Sequence, residues 1–224
     1  GGASGGRRLW QAPQAPDQPL ALALEAYDPA RGRAVVSALA ADSGIVAALR
    51  RIDLAAGQEI DSVPVTLAGL APAVGPGGLL ALAEGAPLAE QPRLLGLAEG
   101  PAPRELFRAP AGASLGRPLW SADGRRLTLP VYPDAAADAA EPDSLILVFD
   151  PGGSQPEPVA RFTVPGSLAA PLAFSPDGRW LLAQAGGPEE AFGARLLLLP
   201  SAGGAPLPAP FAAPPGSWAL SWLP

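Results

Sequence analysis

The sequence repeats about every fifty residues around a short turn that is followed by strand-forming side chains. The clearest copy is FSPDGRWLLAQ, at residues 174–184, and related stretches start at Tyr27, Val74 and Trp120, with 46 to 54 residues between successive starts. Such a repeat cannot bury its apolar residues alone and must stack on its neighbours. This periodicity therefore restricts the chain to a repeat architecture.

Each copy of the repeat predicts a β-hairpin. Ser, Pro, Asp and Gly at residues 175–178 suit the four positions of a type I turn. Phe174 before the turn and Trp180 after it favour strands. Two more strand-like segments follow, as in DSLILVFDPGG and then PEPVARFTV at residues 143–164. Each repeat is thus predicted to form four short strands.

Four strands in a repeat of about 40 to 50 residues are typical of one blade of a β-propeller. The motif resembles the TolB-like, WD40-like (PD40) propeller repeat, whose turn reads FSPDG and whose third strand runs into an Asp and a Gly turn. Residues 174–178 match that turn in full, and ILVFDPGG, which contains Asp150 and Gly153, matches the third strand. The copy at Val74 lacks the Asp, and the copy at Tyr27 is looser.

The repeat positions predict how the chain is divided. Residues 1–6 are expected to form a flexible linker, and residues 7–224 an all-β propeller segment of four-stranded antiparallel blades. The four full blades are predicted at about residues 17–62, 63–110, 111–164 and 165–212. Residues 7–13 resemble a lone outermost strand, and residues 216–224 resemble the innermost strand of a further blade. Because lone strands leave sheet edges unpaired, we expect the segment to belong to a larger propeller; the alternative is a complete small ring.

The composition limits the possible chemistry. The formal net charge is −6, with no basic surface pattern, which argues against binding nucleic acid. The chain has no Cys and no His, so it offers no thiolate ligand, no imidazole ligand and no His general base. Carboxylates such as Glu105, Glu157 and Glu189 are present, but no spacing sets two of them across a substrate. We expect no catalytic residue, metal site or cofactor in this segment, and no membrane span.

Residues that depart from the repeat are the candidates for contact with a partner. Trp218 stands where earlier blades have Ala170 and Gly116, so packing does not demand an aromatic residue there. The predicted loop between the second and third strands of the third blade carries four acids: Asp134, Asp138, Glu141 and Asp143. These oxygens could hold Ca²⁺, but the Ala-rich segment lacks the Gly turns and close spacing of a calcium loop, which favours a solvated acidic loop.

Two functions remain open at this point. The resemblance implies a non-catalytic propeller that binds a protein or a small ligand outside the cytoplasm, in the periplasm or at the cell surface. The alternative is a substrate-gating propeller of a larger serine hydrolase similar to the prolyl-oligopeptidase group, with its catalytic domain outside this segment. An α/β-hydrolase sequence after Pro224 would select the second function, and a lipoprotein signal or membrane anchor before Gly1 would select the first.

Overall fold

The computed structural model is built almost entirely of β-strands. It describes residues 20–28, 31–40, 46–64, 71–76, 79–84, 91–97, 104–132, 143–153, 157–165, 168–186 and 195–208. Within those ranges there is no α-helix, and so no helix that could cross a membrane. The strands are β1 (Leu20–Asp28), β2 (Arg33–Ala40), β3 (Val46–Asp53), β4 (Gln58–Pro64), β5 (Ala71–Val74), β6 (Leu80–Glu84), β7 (Arg93–Leu97), β8 (Arg104–Arg108), β9 (Ser114–Leu115), β10 (Leu119–Trp120), β11 (Leu127–Tyr132), β12 (Ser144–Phe149), β13 (Pro158–Val164), β14 (Leu168–Phe174), β15 (Trp180–Gly186), β16 (Arg195–Pro200) and β17 (Leu207–Pro208).

The strands form four antiparallel sheets in simple chain order. The sheets are β1-β2-β3-β4, β5-β6-β7-β8, β10-β11-β12-β13 and β14-β15-β16-β17. In the third sheet β9 also pairs with β11, so β9 and β10 together act as one interrupted first strand. The prediction of four-stranded antiparallel blades is confirmed. The expected linker and the two expected lone strands lie outside the described residues.

The chain divides into two compact units, of which the first contains β1 to β4 and the second β5 to β17. In the first unit the centre of the sheet is buried, with Leu49 and Ile52 each 1% exposed. Arg51 is also buried, and it makes a two-pronged ion pair with Asp61 on the neighbouring strand. A buried charge needs such a partner, because removal from water is costly.

In the second unit the central strands are predominantly apolar, because both faces of the sheet are covered. Successive side chains of a strand point to opposite faces. On β12, Leu147 and Phe149 join a buried cluster with side chains of the second sheet, such as Ala81. Ile146 and Val148 point the other way, into a cluster with side chains of the fourth sheet. One strand thereby contributes to two successive cores.

The aromatic residue that ends the first strand of a blade packs on the preceding blade. The Trp120 indole lies against the second sheet, and its Nε1 donates a hydrogen bond to the carbonyl of Ala73 at 3.1 Å. Phe174 is 8% exposed and belongs to the cluster between the third and fourth sheets. Tyr27 differs, because it holds the same position in the first blade and is 55% exposed. Trp120 and Phe174 are therefore packed between blades, whereas Tyr27 is largely exposed.

The contact of Trp120 requires a glycine opposite the indole ring. A Cβ atom on Gly75 would lie 2.7 Å from Cδ2 and 2.8 Å from Cγ of Trp120. We expect Gly75→Ala to lower the free energy of unfolding by about 1–3 kcal/mol, because the rigid ring cannot move without disturbing the packing of the two sheets. Urea unfolding followed by tryptophan fluorescence measures the change.

The matched control is Gly152→Ala. At Gly152 the nearest atom to an added Cβ is Oδ1 of Asp150 at 3.6 Å, which is an ordinary contact. Both substitutions restrict the unfolded chain equally, so their difference isolates the steric effect. Equal stability of the two variants would contradict close packing at Trp120.

Candidate functional site

The strands of the third and fourth blades have two different ends, and the loops at one end are the candidate site. We name this end the crossover face. It includes the end of β11 at Tyr132, the start of β12 at Ser144, and the chain segments that enter the third and fourth blades. The Ser144 hydroxyl accepts a hydrogen bond from the N–H of Ala169 at 3.1 Å, and the Gly116 N–H donates to the carbonyl of Pro130 at 2.9 Å. These two bonds hold the strand ends from which the β11–β12 loop and the segments entering the third and fourth blades extend.

The sequence-predicted contact residues are only partly described. Asp143 is exposed and lies immediately before β12, on the crossover face. Trp218, Asp134, Asp138 and Glu141 lie outside the described residues. Strands β11 and β12 pair up to Val131 and Leu145, so the acidic loop that joins them leaves from the crossover face. The grouping of Trp218 with the acids stays a prediction.

Tyr132 is a candidate that the sequence analysis missed. It is half-buried at the base of the acidic loop, and burial raises the pKa of its phenol. A Cβ atom on Gly116 would lie 3.0 Å from the Tyr132 hydroxyl oxygen, so the phenol rests against the entry to the third blade. The cross-strand register makes Leu39 and Gly186 its counterparts in other blades. That departure from the repeat is the same signal that singled out Trp218.

Charged and apolar side chains lie at the same end of the blades as Tyr132. Arg117 follows Gly116 and is exposed. Leu168, at the start of β14, is 55% exposed and precedes the residue that bonds to Ser144. Among the described residues no three His, Cys, Asp or Glu side chains are placed to hold a metal ion. On the described part of this face Arg117 is a cation, Asp143 a carboxylate and Leu168 an exposed apolar side chain.

The opposite ends of the blades carry the repeated turns, and there the polar groups bond to one another. The Ser175 hydroxyl donates to Asp177 Oδ1 at 2.6 Å and accepts from the Trp180 N–H at 3.0 Å. Gly178 closes the turn with φ 69°, a conformation that suits glycine, and its N–H donates to the Ser175 carbonyl. The turn at Ser121 repeats these bonds in the third blade. FSPDG is therefore a structural motif.

Hydrogen bonds keep the two turn aspartates ionised. The Ser121 hydroxyl, followed by the Arg125 N–H, lowers the pKa of Asp123. At the second turn the Ser175 hydroxyl, followed by the Arg179 N–H, lowers the pKa of Asp177. Bonds to the charged form of an acid have this effect because they stabilise the anion.

Comparison with known proteins identifies the fold and no family. No protein-family model matches the sequence, and no curated protein matches it. Among solved structures, the chain is similar to oligogalacturonate lyase in complex with manganese, with TM-score 0.60 and 16% identity over 87% of this chain and 54% of that one. It is also similar to the β-propeller domain of the Trilobed protease from Pyrococcus furiosus, with TM-score 0.59 and 11% identity over 85% and 57%. A prolyl endopeptidase matches with TM-score 0.56 and 13% identity over 83% and 28%.

The fold is a β-propeller. Identities of 11% to 16% carry the fold alone, and the chain spans 28% to 57% of the length of these three structures. Propellers include enzymes, receptors and scaffolds, so their function has to be argued from the loops. In this propeller the turn end is occupied by internal hydrogen bonds, and the crossover face carries the variable residues.

Removal of the turn hydroxyls tests the structural assignment of the motif. We expect Ser121→Ala and Ser175→Ala each to lower the free energy of unfolding by about 1–3 kcal/mol, because a buried backbone N–H loses its acceptor. Ser114→Ala, at an exposed position in β9, is the control and should change stability by less than about 0.5 kcal/mol. Thermal unfolding of the three variants measures the effect. No loss at either turn would mean that the serines serve another purpose.

Acid should remove the contribution of the turn aspartates. Their folded-state pKa values are lowered, so the stabilisation is present above the ordinary aspartate range near about pH 4. It is lost as the pH falls through the folded-state values. The gap in unfolding midpoint between the unaltered chain and the Asp123→Ala, Asp177→Ala double variant should be constant from neutral pH to about pH 5 and should shrink below about pH 4. A gap that widens in acid would contradict the assigned hydrogen bonds.

Proposed function

We propose that this chain is a non-catalytic β-propeller that binds a protein or a small ligand on its crossover face. One observation carries the proposal: in the third and fourth blades the turn residues keep the repeat and bond internally, whereas Tyr132 at the other end departs from it. Other blades have Leu39 and Gly186 at this position, so the repeat does not require a phenol there. A surface released from the packing pattern is available for recognition.

The proposal also includes a cellular compartment and a type of propeller repeat. The full match of residues 174–178 to the PD40 turn, together with the Ser and Asp hydrogen bonds that hold it, supports a TolB-like repeat. On that resemblance the chain acts outside the cytoplasm, in the periplasm or at the cell surface. Localisation of a fluorescently tagged full-length protein, or cell fractionation, tests this part.

The partner should present basic or mixed charge. The chain has net charge −6, and the acidic loop that begins after Tyr132 adds local negative charge to the crossover face. An acidic surface steers a cationic partner, and salt weakens that attraction over a Debye length of about 8–10 Å. Trp218, as an aromatic residue free of the repeat, is the proposed apolar anchor. Nucleic acid does not suit this charge.

A second function has one observation in its favour. The chain is similar to a prolyl endopeptidase and to the propeller of the Trilobed protease, and it spans 28% and 57% of those structures. The alternative is therefore a propeller that gates substrate entry in a larger serine hydrolase. In that case the crossover-face loops would affect which peptides are cleaved.

Binding measurements on variants of the crossover face test the first function. A partner captured with the full-length protein is titrated by biolayer interferometry against the unaltered chain, Tyr132→Ala, Trp218→Ala and a variant with the four acids changed to amides. We expect the aromatic changes to cost about 1 kcal/mol or more, the scale of an interface anchor. The amide variant should bind more slowly and lose most of its salt dependence.

The control lies at the other end of the blades. Arg125 and Arg179 sit in the repeated turns with 83% of each side chain exposed, and Arg125→Ala with Arg179→Ala should leave affinity unchanged. If the turn variant weakens binding and the crossover variants do not, the partner binds the turn end and the proposal is wrong. If the chain binds nothing, and loop changes alter only peptide-length selection by an attached hydrolase, the second function is correct.

A further inference from the structure

The innermost strand of the third blade is interrupted next to Tyr132. Strands β9 and β10 both pair with β11, and residues 116–118 between them belong to neither strand. Pro118 has no N–H to give to a ladder, which favours a break there. Arg117 lies in the interruption and is exposed, at an edge of the sheet where no further strand pairs among the described residues.

Arg117 is a cation with no partner in the described part of the chain. Of the arginines in the described ranges, Arg117 and Arg161 alone make neither a hydrogen bond nor an ion pair within that part of the chain. The backbone N–H of Arg117 has no hydrogen-bond acceptor there either. A guanidinium carries five N–H donors in a fixed plane and keeps its charge in proteins. Arg117 therefore offers its donors to a ligand.

The phenol of Tyr132 is a second donor without a described acceptor. The side chain is half-buried, and its hydroxyl makes no hydrogen bond with another described residue. Burial raises the pKa of the phenol, so the O–H keeps its proton at neutral pH. A partly buried hydroxyl that lacks a partner is costly, and an acceptor on a ligand relieves that cost.

Gly116 brings the two donors close together. An added Cβ on Gly116 would lie 3.0 Å from the Tyr132 hydroxyl oxygen, so the phenol occupies the room that a side chain would take. Arg117 is the next residue, and consecutive Cα atoms are about 3.8 Å apart, which puts the Arg117 Cα within about 8 Å of the phenol oxygen. The long side chain of an arginine spans most of that distance. One small acceptor group can therefore contact both donors.

We propose that Arg117 and Tyr132 bind a carboxylate of a mixed-charge ligand on the crossover face. The guanidinium pairs with the carboxylate oxygens, and the phenol O–H donates to one of them. The planar fork of a guanidinium matches the two oxygens of a carboxylate. This inference rests on the proposed function, because it names a group that the crossover face recognises in its ligand. Basic groups of the same ligand suit the acidic loop that follows Tyr132.

The charge of the site favours a monoanion. Arg117 supplies one positive charge, and the Tyr132 phenol is neutral. Asp143 is exposed at the same end of the blade, and the whole chain has net charge −6. A carboxylate neutralises the guanidinium, whereas a phosphate dianion leaves excess negative charge on a surface that is already acidic.

Titration of the chain with small anions at neutral pH, followed by NMR through the backbone amide signal of Gly116, tests the proposal. The probes are acetate, N-acetyl-leucine as a model of a peptide C-terminus, N-acetyl-glutamic acid α-amide as a model of an acidic side chain, and inorganic phosphate. We expect a saturable shift with a dissociation constant on the order of millimolar for acetate, and weaker binding of phosphate. The amino-acid probe that binds more tightly identifies the source of the carboxylate.

Variants separate this site from a general attraction to positive charge. Arg117→Gln should raise the acetate dissociation constant about tenfold or more, the loss expected for a charge-assisted hydrogen bond, and Arg117→Lys should recover part of it. Tyr132→Phe keeps the ring against Gly116 and should weaken binding about threefold or more. Arg161→Gln is the matched control, because Arg161 is also exposed and without a described partner in the same blade, on β13. It changes the net charge equally and should bind acetate normally.

Three results would overturn the carboxylate site. They are the absence of a saturable shift with every carboxylate probe, equal weakening by Arg117→Gln and Arg161→Gln in chains that circular dichroism shows to be folded, and tighter binding of phosphate than of acetate. Each would leave the proposed function standing if Tyr132→Ala and Trp218→Ala still weaken a captured partner. Saturable acetate binding by a chain whose partner binds the turn end would refute the proposed function and keep this site.

Discussion

The packing of one sheet face on the next is the interaction on which the rest of this structure depends. A four-stranded sheet that is apolar on both sides gains stability only when both sides are covered. The third blade shows the consequence in its sequence, because LTLPVY and SLILVF are buried along nearly their whole length. Covering both sides requires neighbouring sheets to approach closely. Gly75 leaves the room that the indole of Trp120 needs against the second blade.

The repeated turn explains why function is expected at only one end of the blades. The side chains of Ser175 and Asp177 make their hydrogen bonds within the turn itself, and those of Ser121 and Asp123 do the same in the third blade. Neighbouring turns also approach one another, because a Cβ on Gly124 would lie 3.2 Å from Pro76. Residues held in this way cannot change without a loss of stability. At the other end Tyr132 stands where other blades have Leu39 and Gly186, which is why the proposed binding role is placed there.

Much of the architecture could be predicted from the sequence, because the conformation of a turn depends on the few residues within it. The Pro-Asp-Gly turn and the strand-forming residues on either side of it predicted the hairpin at residue 174 without knowledge of tertiary contacts. The interruption between β9 and β10 was not predicted, since it depends on how residues 116–118 lie against Pro130 and Tyr132. For the candidate site, the sequence offered Asp143 as part of the acidic loop and did not single out Tyr132. Its position at the last residue of β11 becomes apparent only when the cross-strand register is known.

Tyr27 shows the limit of repeat analysis most clearly. Its local sequence predicts the same role as that of Phe174, and the backbone does follow the same course, including the same extra residue in the strand. Burial, however, depends on whether a neighbouring sheet covers the residue, and the sequence of the strand alone does not determine it. Tyr27, on the edge strand of its sheet, is 55% exposed, whereas Phe174 is 8% exposed because the third blade covers it, so position in the repeat alone does not predict burial.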